Sequence, residues 1–270
     1  IFLTSRNDTI SELEGFSLGA VDYISKPFSP QLLLKRVEVH LLLESQKAEL
    51  KNLNENLQHL VDEKTGEVLE LQNAMLITMS NLVECRDDVT GGHVERTERF
   101  LRLLVEEMLK EGIYQDILNT WNINLFIQSS KLHDVGKIAI KDNILLKPGP
   151  LTREEFENMK KHTVFGETVI EKIQQNAKES IFLTHAKIMA GTHHEKWDGS
   201  GYPRGIGGSH IPLQGRLMAF VDVYDALISD RPYKKAFSPE QALKIITDGC
   251  GTQFDPGLKQ VFLAASKHFH

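Results

Sequence analysis

Two stretches decide the reading of this chain: His133-Asp134-Val135-Gly136-Lys137, and His193-His194-Glu195-Lys196-Trp197-Asp198-Gly199-Ser200-Gly201-Tyr202-Pro203. In each, two adjacent metal-ligand types follow an apolar, helix-patterned run, 126–132 for the first. A helix splays consecutive side chains about 100° apart, so an apolar core seldom wants both members of such a pair, whereas neighbouring ligands can serve two ions. His93, His162 and Asp222 also lie within or beside periodic apolar segments, which brings five of the eleven histidines into one candidate set. Imidazole and carboxylate without thiolate suit Fe, Mn, Ni or Zn better than a structural zinc finger. Seven ligands are too many for one tetrahedral ion and about right for two ions sharing a carboxylate. Spacing alone leaves the plain alternative open, since a lone histidine on a helix is more often packed or exposed than a ligand. By that standard His40, His59, His185, His210, His268 and His270 receive no role.

Around these stretches the composition is that of a globular protein: 270 residues, 41% apolar and 25% charged. Basic residues number 31 and acidic residues 37, a net charge of −6, which argues against a general DNA or RNA binder while leaving room for a local basic pocket. Cys85 and Cys250 cannot make a disulfide framework, which suits a cytoplasmic protein. No apolar run approaches the ~20 residues of a membrane span. The chain opens Ile1-Phe2-Leu3-Thr4-Ser5, without Met and inside a strand-like run, and reads as a fragment of something longer.

Three regimes follow one another. Residues 1–43 alternate strand-like and helix-like stretches, with a helix over 10–18 and another opened by Ser29-Pro30. Residues 44–82 carry a heptad pattern: Leu50, Leu53, Leu57 and Leu60, resuming out of phase as Val61, Val68, Leu71, Met75, Met79 and Leu82. This predicts a coiled-coil helix with a stutter near Thr65-Gly66 and a parallel homodimer, the alternative being a lone amphipathic helix packed on its own protein. Residues 83–270 read as mostly helical, with periodic segments over 95–110, 125–132, 153–172 and 239–247. The Gly/Pro-rich stretch 198–212 reads as an ordered functional loop, because Trp197 and Tyr202 sit beside its glycines.

With Lys147-Pro148-Gly149-Pro150-Leu151-Thr152, Asp222-Val223-Tyr224-Asp225-Ala226 and Asp230-Arg231-Pro232-Tyr233-Lys234 added to the two opening stretches, the ordered string over roughly 83–250 closely resembles the HD-GYP family, a branch of the HD metal-dependent phosphohydrolases. The resemblance implies a mainly all-α HD-type domain with a metal centre that hydrolyses cyclic di-GMP to linear pGpG, and in some members onward to GMP. Carried over by position, it implies that His93, His133, Asp134 and Asp222 hold a first divalent transition-metal ion. Asp134 bridges to a second, completed by His162, His193 and His194; Fe or Mn is expected, with Ni or Zn as alternatives. Lys137 contacts the scissile phosphate, Tyr202 borders the substrate, and Arg231 and Lys234 grip the other phosphate. The chemistry is coherent: paired ions activate water and polarise phosphate oxygens, so no side-chain nucleophile is needed. Arg231 can bond a phosphate bidentately, and Lys234 acts as a point charge. The plainer reading of those cations is a solvated surface, and that of Tyr202 a loop anchor.

Two positions depart from the family pattern. Members with a third metal carry glutamate where this chain has Val89, so a binuclear site is expected unless Asp87 or Asp88 substitutes; Lys141 stands where proline is usual. Residues 1–43 resemble the back part of a response-regulator receiver domain, through Leu3-Thr4-Ser5, Gly19-Ala20-Val21-Asp22-Tyr23 and Lys26-Pro27-Phe28, with Thr4 and Lys26 at the switch and phosphoryl-pairing positions. The phosphoacceptor aspartate lies upstream of Ile1, so this segment as given cannot be phosphorylated. The resemblance implies a sensor histidine kinase acting on the intact receiver and a signal passing through 44–82. A competing reading is a non-catalytic cyclic di-GMP sensor, or a docking module for diguanylate cyclases through the Gly201-Tyr202-Pro203 loop.

Overall fold

A computed structural model describes residues 1–4, 13–14, 16–84, 86, 92–176, 180–230 and 235–269. Arg231 and Lys234, together with Asp87, Asp88 and Val89, lie outside the described residues. The chain divides into two units, 1–70 and 71–270.

In the first unit, β1 (Phe2–Thr4) pairs in parallel with β2 (Tyr23–Ser25), Phe2 opposite Tyr23 and Thr4 opposite Ser25. The central β2 residue, Ile24, is buried. Of the expected 10–18 helix, residues 13, 14, 16 and 17 are helical, and 10–12 and 15 lie outside the described residues. Helix α1 (Pro30–Glu84) begins at Pro30, where a missing N–H costs no intrahelical bond. It runs unbroken through 43–44 and through Thr65-Gly66, so the change of composition there is not a change of backbone. Arg36 Nη1 donates to Asp22 at 2.7 Å, tying the helix to the residue that precedes β2. Leu50, Leu53, Leu57 and Leu60 are exposed.

Among the described residues the second unit is helical: α2 (His93–Glu111), α3 (Gln115–Leu118), α4 (Ile123–Ser129), α5 (Asp142–Leu145), α6 (Arg153–Met159), α7 (Lys161–Asn176), α8 (Ile181–Thr192), α9 (Leu213–Ile228), α10 (Pro239–Asp248) and α11 (Lys259–Ala265). The mainly all-α class is the one expected. Helix α2 buries Val94, Thr97, Leu101, Leu104 and Met108, one stripe at spacings of three and four. It packs on α9, which is buried almost all round through Leu217, Met218, Phe220, Val221 and Tyr224. Phe254, Phe262 and Phe269 close this core from the C-terminal side. Burying each such aromatic gains roughly 1.5–3 kcal/mol. A second cluster joins α7 to α8 through Ile170, Phe182, Ala186 and Ala190.

Start signals are used as the sequence offers them. Thr152 with Glu155, and Ser238 with Gln241, form capping boxes at α6 and α10. The segment that carries His133 and Lys137 is tightly wound, with 3-10 turns at Ser130–Leu132 and Val135–Ala139. It is bound at both ends to the chain that precedes α2: Ser80 Oγ donates to the Lys131 carbonyl at 2.7 Å, and Arg86 donates to the carbonyls of Ile138 (2.7 Å) and Ile140 (3.2 Å). The single helix expected over 153–172 is instead two, breaking at Lys160. The break frees the Met159 carbonyl, which accepts Nδ1–H of His162 at 2.8 Å.

Candidate metal centre

Five elements bring the seven expected ligands together. His93 is the first residue of α2, entered through Gly92 in the left-handed region (φ 96°). His133 and Asp134 sit between the two 3-10 turns, and His162 lies in the first turn of α7. His193 caps α8, His194 follows it, and Asp222 projects from α9.

The geometry resolves into two groups that share one carboxylate. Asp134, His162, His193 and His194 offer ligand atoms within 4.8 Å of one another, and so do His93, His133 and Asp134. Asp134 Oδ1 faces Nε2 of His162 at 3.3 Å and of His193 at 3.6 Å. Its Oδ2 faces Nε2 of His133 at 3.5 Å and Lys137 Nζ at 2.9 Å. Asp222 Oδ1 adds to the first group, 3.6 Å from His93 Nε2 and 4.0 Å from His133 Nε2. His93 and His133 approach Nε2 to Nε2 at 3.4 Å, as do His162 and His193.

Packing of this density needs a missing side chain. A Cβ on Gly136 would overlap the His162 carbonyl oxygen and the Gly166 nitrogen, so only glycine lets the His133–Lys137 turn lie directly on α7.

The ring nitrogens are pre-sorted. His133 donates Nδ1–H to the Ser130 carbonyl at 2.8 Å, His162 to Met159 at 2.8 Å and His193 to Met189 at 2.9 Å, which leaves each Nε2 lone pair turned inward. His93 is held by Asp225 Oδ2 at 2.7 Å. Burial and the positive neighbours push His133 down to about 4, and burial also lowers His162. Burial, with His193 and His162 alongside, drives His194 well below the ordinary range. Burial also opposes charge on His193, but Asp134 and Asp222 outweigh it and its pKa is raised. For Asp134 burial disfavours the anion, yet Lys137 and the imidazoles hold its carboxyl well below the usual range.

Divalent cations fit this donor set. It supplies imidazole nitrogen and carboxylate oxygen with no thiolate, and Asp134 Oδ1 is buried with no hydrogen-bond donor. A buried, ionised oxygen among inward-facing lone pairs is what a cation would satisfy.

The 198–212 stretch is ordered, as expected. Glu195, 3% exposed, accepts from the backbone nitrogens of Arg204 (2.7 Å) and Ile206 (3.1 Å) and folds the loop back on itself. A Cβ on Gly201 would strike the Glu195 and Lys196 backbone. The Tyr202 amide donates to the His194 carbonyl at 3.1 Å, and its ring lies over the His194 ring at 4.8 Å between centroids. Burial raises the Tyr202 hydroxyl, which stays protonated. Phe156 meets Tyr202 edge-on at 6.1 Å, and Lys160 Nζ lies 5.7 Å from the Tyr202 ring. Sequence reasoning assigned nothing to Glu195, Lys160 or Asp225. Asp225 had one signal: a second carboxylate one turn beyond Asp222 on an otherwise apolar helix. No helix among the described residues is long and apolar enough to cross a membrane.

Comparison with known proteins agrees with this architecture. The HD domain family matches residues 78–258. A probable cyclic di-GMP phosphodiesterase of Vibrio cholerae serotype O1 is 43% identical over 270 residues, covering 100% of this chain and 61% of that protein. A cyclic di-GMP phosphodiesterase of the same organism is 46% identical over 204 residues, 76% of this chain and 42% of that one. Its 3'3'-cGAMP-specific phosphodiesterase 2 is 35% identical over 209 residues, 77% of this chain and 37% of that one. The chain thus spans less than two thirds of the length of each of these relatives. It belongs to the HD domain family, whose HD-GYP branch its motifs point to.

Proposed function

We propose that this chain is a metal-dependent phosphodiesterase that hydrolyses cyclic di-GMP to linear pGpG, as the output part of a two-component response regulator. One observation carries the reading: a single half-buried carboxylate, Asp134, turns one oxygen to each of two imidazole groups. In this reading His93, His133, Asp134 and Asp222 hold one ion, and Asp134, His162, His193 and His194 a second, Fe or Mn before Ni or Zn. Two such ions, when bound, supply activated water at neutral pH and polarise the phosphoryl oxygens.

The chain's own residues do the rest. Lys137 offsets the charge that gathers on the phosphoryl group, from a position fixed by its contact with Asp134. Tyr202, seated on His194, walls the substrate side and excludes water. Arg231 and Lys234 take the distal phosphate, a role that rests on their place in the sequence motif. Residues 1–43 act as the receiver part, reached by a sensor histidine kinase in the intact protein. The exposed stripe of Leu50, Leu53, Leu57 and Leu60 supports a parallel coiled-coil homodimer.

The test is anaerobic reconstitution with Fe or Mn, followed by assay of cyclic di-GMP and 3'3'-cGAMP. Linear pGpG is expected, with cyclic di-GMP the better substrate, and Arg231→Ala is expected to keep its metal but bind substrate poorly. No linear product at any metal loading, with cyclic di-GMP still bound, would make the chain a sensor or a docking module for diguanylate cyclases instead.

A further inference from the structure

The inward-facing Nε2 atoms of His93, His133, His162 and His193 are each set by what stands behind the ring. For His133, His162 and His193 the acceptor on Nδ1 is a backbone carbonyl. For His93 it is a side chain, the Asp225 carboxylate at 2.7 Å. A carboxylate can only accept, so this contact puts the proton on Nδ1 and turns the Nε2 lone pair towards His133 and Asp222.

Asp225 is itself immobilised. It is 1% exposed, and Arg96 donates to it twice, Nε to Oδ1 at 2.6 Å and Nη2 to Oδ2 at 3.0 Å. Arg96 Nη2 also donates to Ser229 Oγ at 3.0 Å. Burial disfavours the Asp225 anion, but His93 and Arg96 outweigh it and keep the carboxyl below its ordinary range. Two helices interlock here. His93 and Arg96 are three apart on α2, Asp222 and Asp225 three apart on α9, and residues at that spacing share a helix face. One member of each pair meets the cluster, and the other stands behind His93.

We infer that Asp225 is a positioning residue for the half-site of His93, His133 and Asp222: it fixes the tautomer and direction of His93 and strengthens it as a ligand through a charged hydrogen bond. The inference rests on the metal binding proposed above. Charge-assisted bonds are the stronger kind, and outer partners of this sort cost about 10–100-fold in metal affinity when removed. In the half-site of His162, His193 and His194, His162 and His193 are oriented by neutral carbonyls, independently of Asp225.

The experiment measures Mn²⁺ binding to the full chain by equilibrium dialysis, with electron paramagnetic resonance reporting whether two bound ions are coupled. Wild type is expected to hold a coupled pair. Asp225→Asn is expected to hold one ion as before and the other about 10–100-fold more weakly, with the coupled signal lost. Two ions at wild-type affinity in Asp225→Asn would overturn the inference and leave the metal reading standing; no Mn²⁺ on wild type would overturn both. A second measurement needs no variant. In metal-free wild type at pH 9, nitrogen NMR of labelled histidine should find His93 as the Nδ1–H tautomer, and an Nε2–H tautomer would overturn the inference even if Asp225→Asn failed to fold.

Discussion

Helix α8 carries one buried imidazole in its body and another at its end, and their surroundings treat them oppositely. His185, 5% exposed, lies edge-on to Trp121 and Phe126, with ring centroids 4.9 and 5.3 Å away. Its Nδ1 accepts from Gln214 at 3.2 Å, and its buried Nε2 has no partner. His193, 1% exposed, instead faces Asp134. Burial alone pushes the His185 pKa down, whereas beside the carboxylates the His193 pKa rises despite deeper burial. The contrast separates a histidine used as a flat aromatic packing unit from one kept for its lone pair. Burial does not distinguish them; a shared anion does.

Three measurements test that distinction. The largest effect is expected from His133→Ala, which removes a proposed ligand beside the shared carboxylate: metal and turnover should fall together, read by elemental analysis and product formation on the same sample. Full metal occupancy in that variant would break the comparison, since His133 would then be packing as His185 does. Lys137→Ala should keep its metal and lose about 10²–10³-fold in kcat, the scale for deleting one charge-stabilising group, with KM changed far less.

The smallest effect is expected at His185. Its folded pKa is depressed, so the unfolded chain takes up a proton near pH 6.5 before the folded chain does. Stability is therefore complete above that pH and falls as the solution is acidified through it. His185→Gln should make the melting temperature less steep in pH just below 6.5 while metal binding stays unchanged. A slope as steep as wild type would show that His185 is not held neutral by its cage.

Much of the candidate site was legible because residue types able to bind a metal are chemically explicit. His133-Asp134 and His193-His194 stand out as adjacent pairs, and the heptad leucines announce α1. What orients the ligands was not legible, because carbonyls carry no sequence signature. The break at Lys160 that frees the Met159 oxygen for His162 falls inside a run whose apolar spacing fits one continuous helix. Glu195 reads as a surface charge until the loop closes over it, and Asp225 reads as spare until α2 crosses α9. Such roles arise from tertiary packing, which local pattern does not encode.

The Gly136 contact has a consequence for how this centre tolerates change. The reach between the turn bearing Asp134 and the helix bearing His162 is set by an atom that is absent, so no compensating substitution nearby can restore it once a methyl group is there. Alanine at 136 would wedge the two backbones apart and widen every donor spacing that crosses the gap, leaving all the proposed ligands present but too far apart to share an ion.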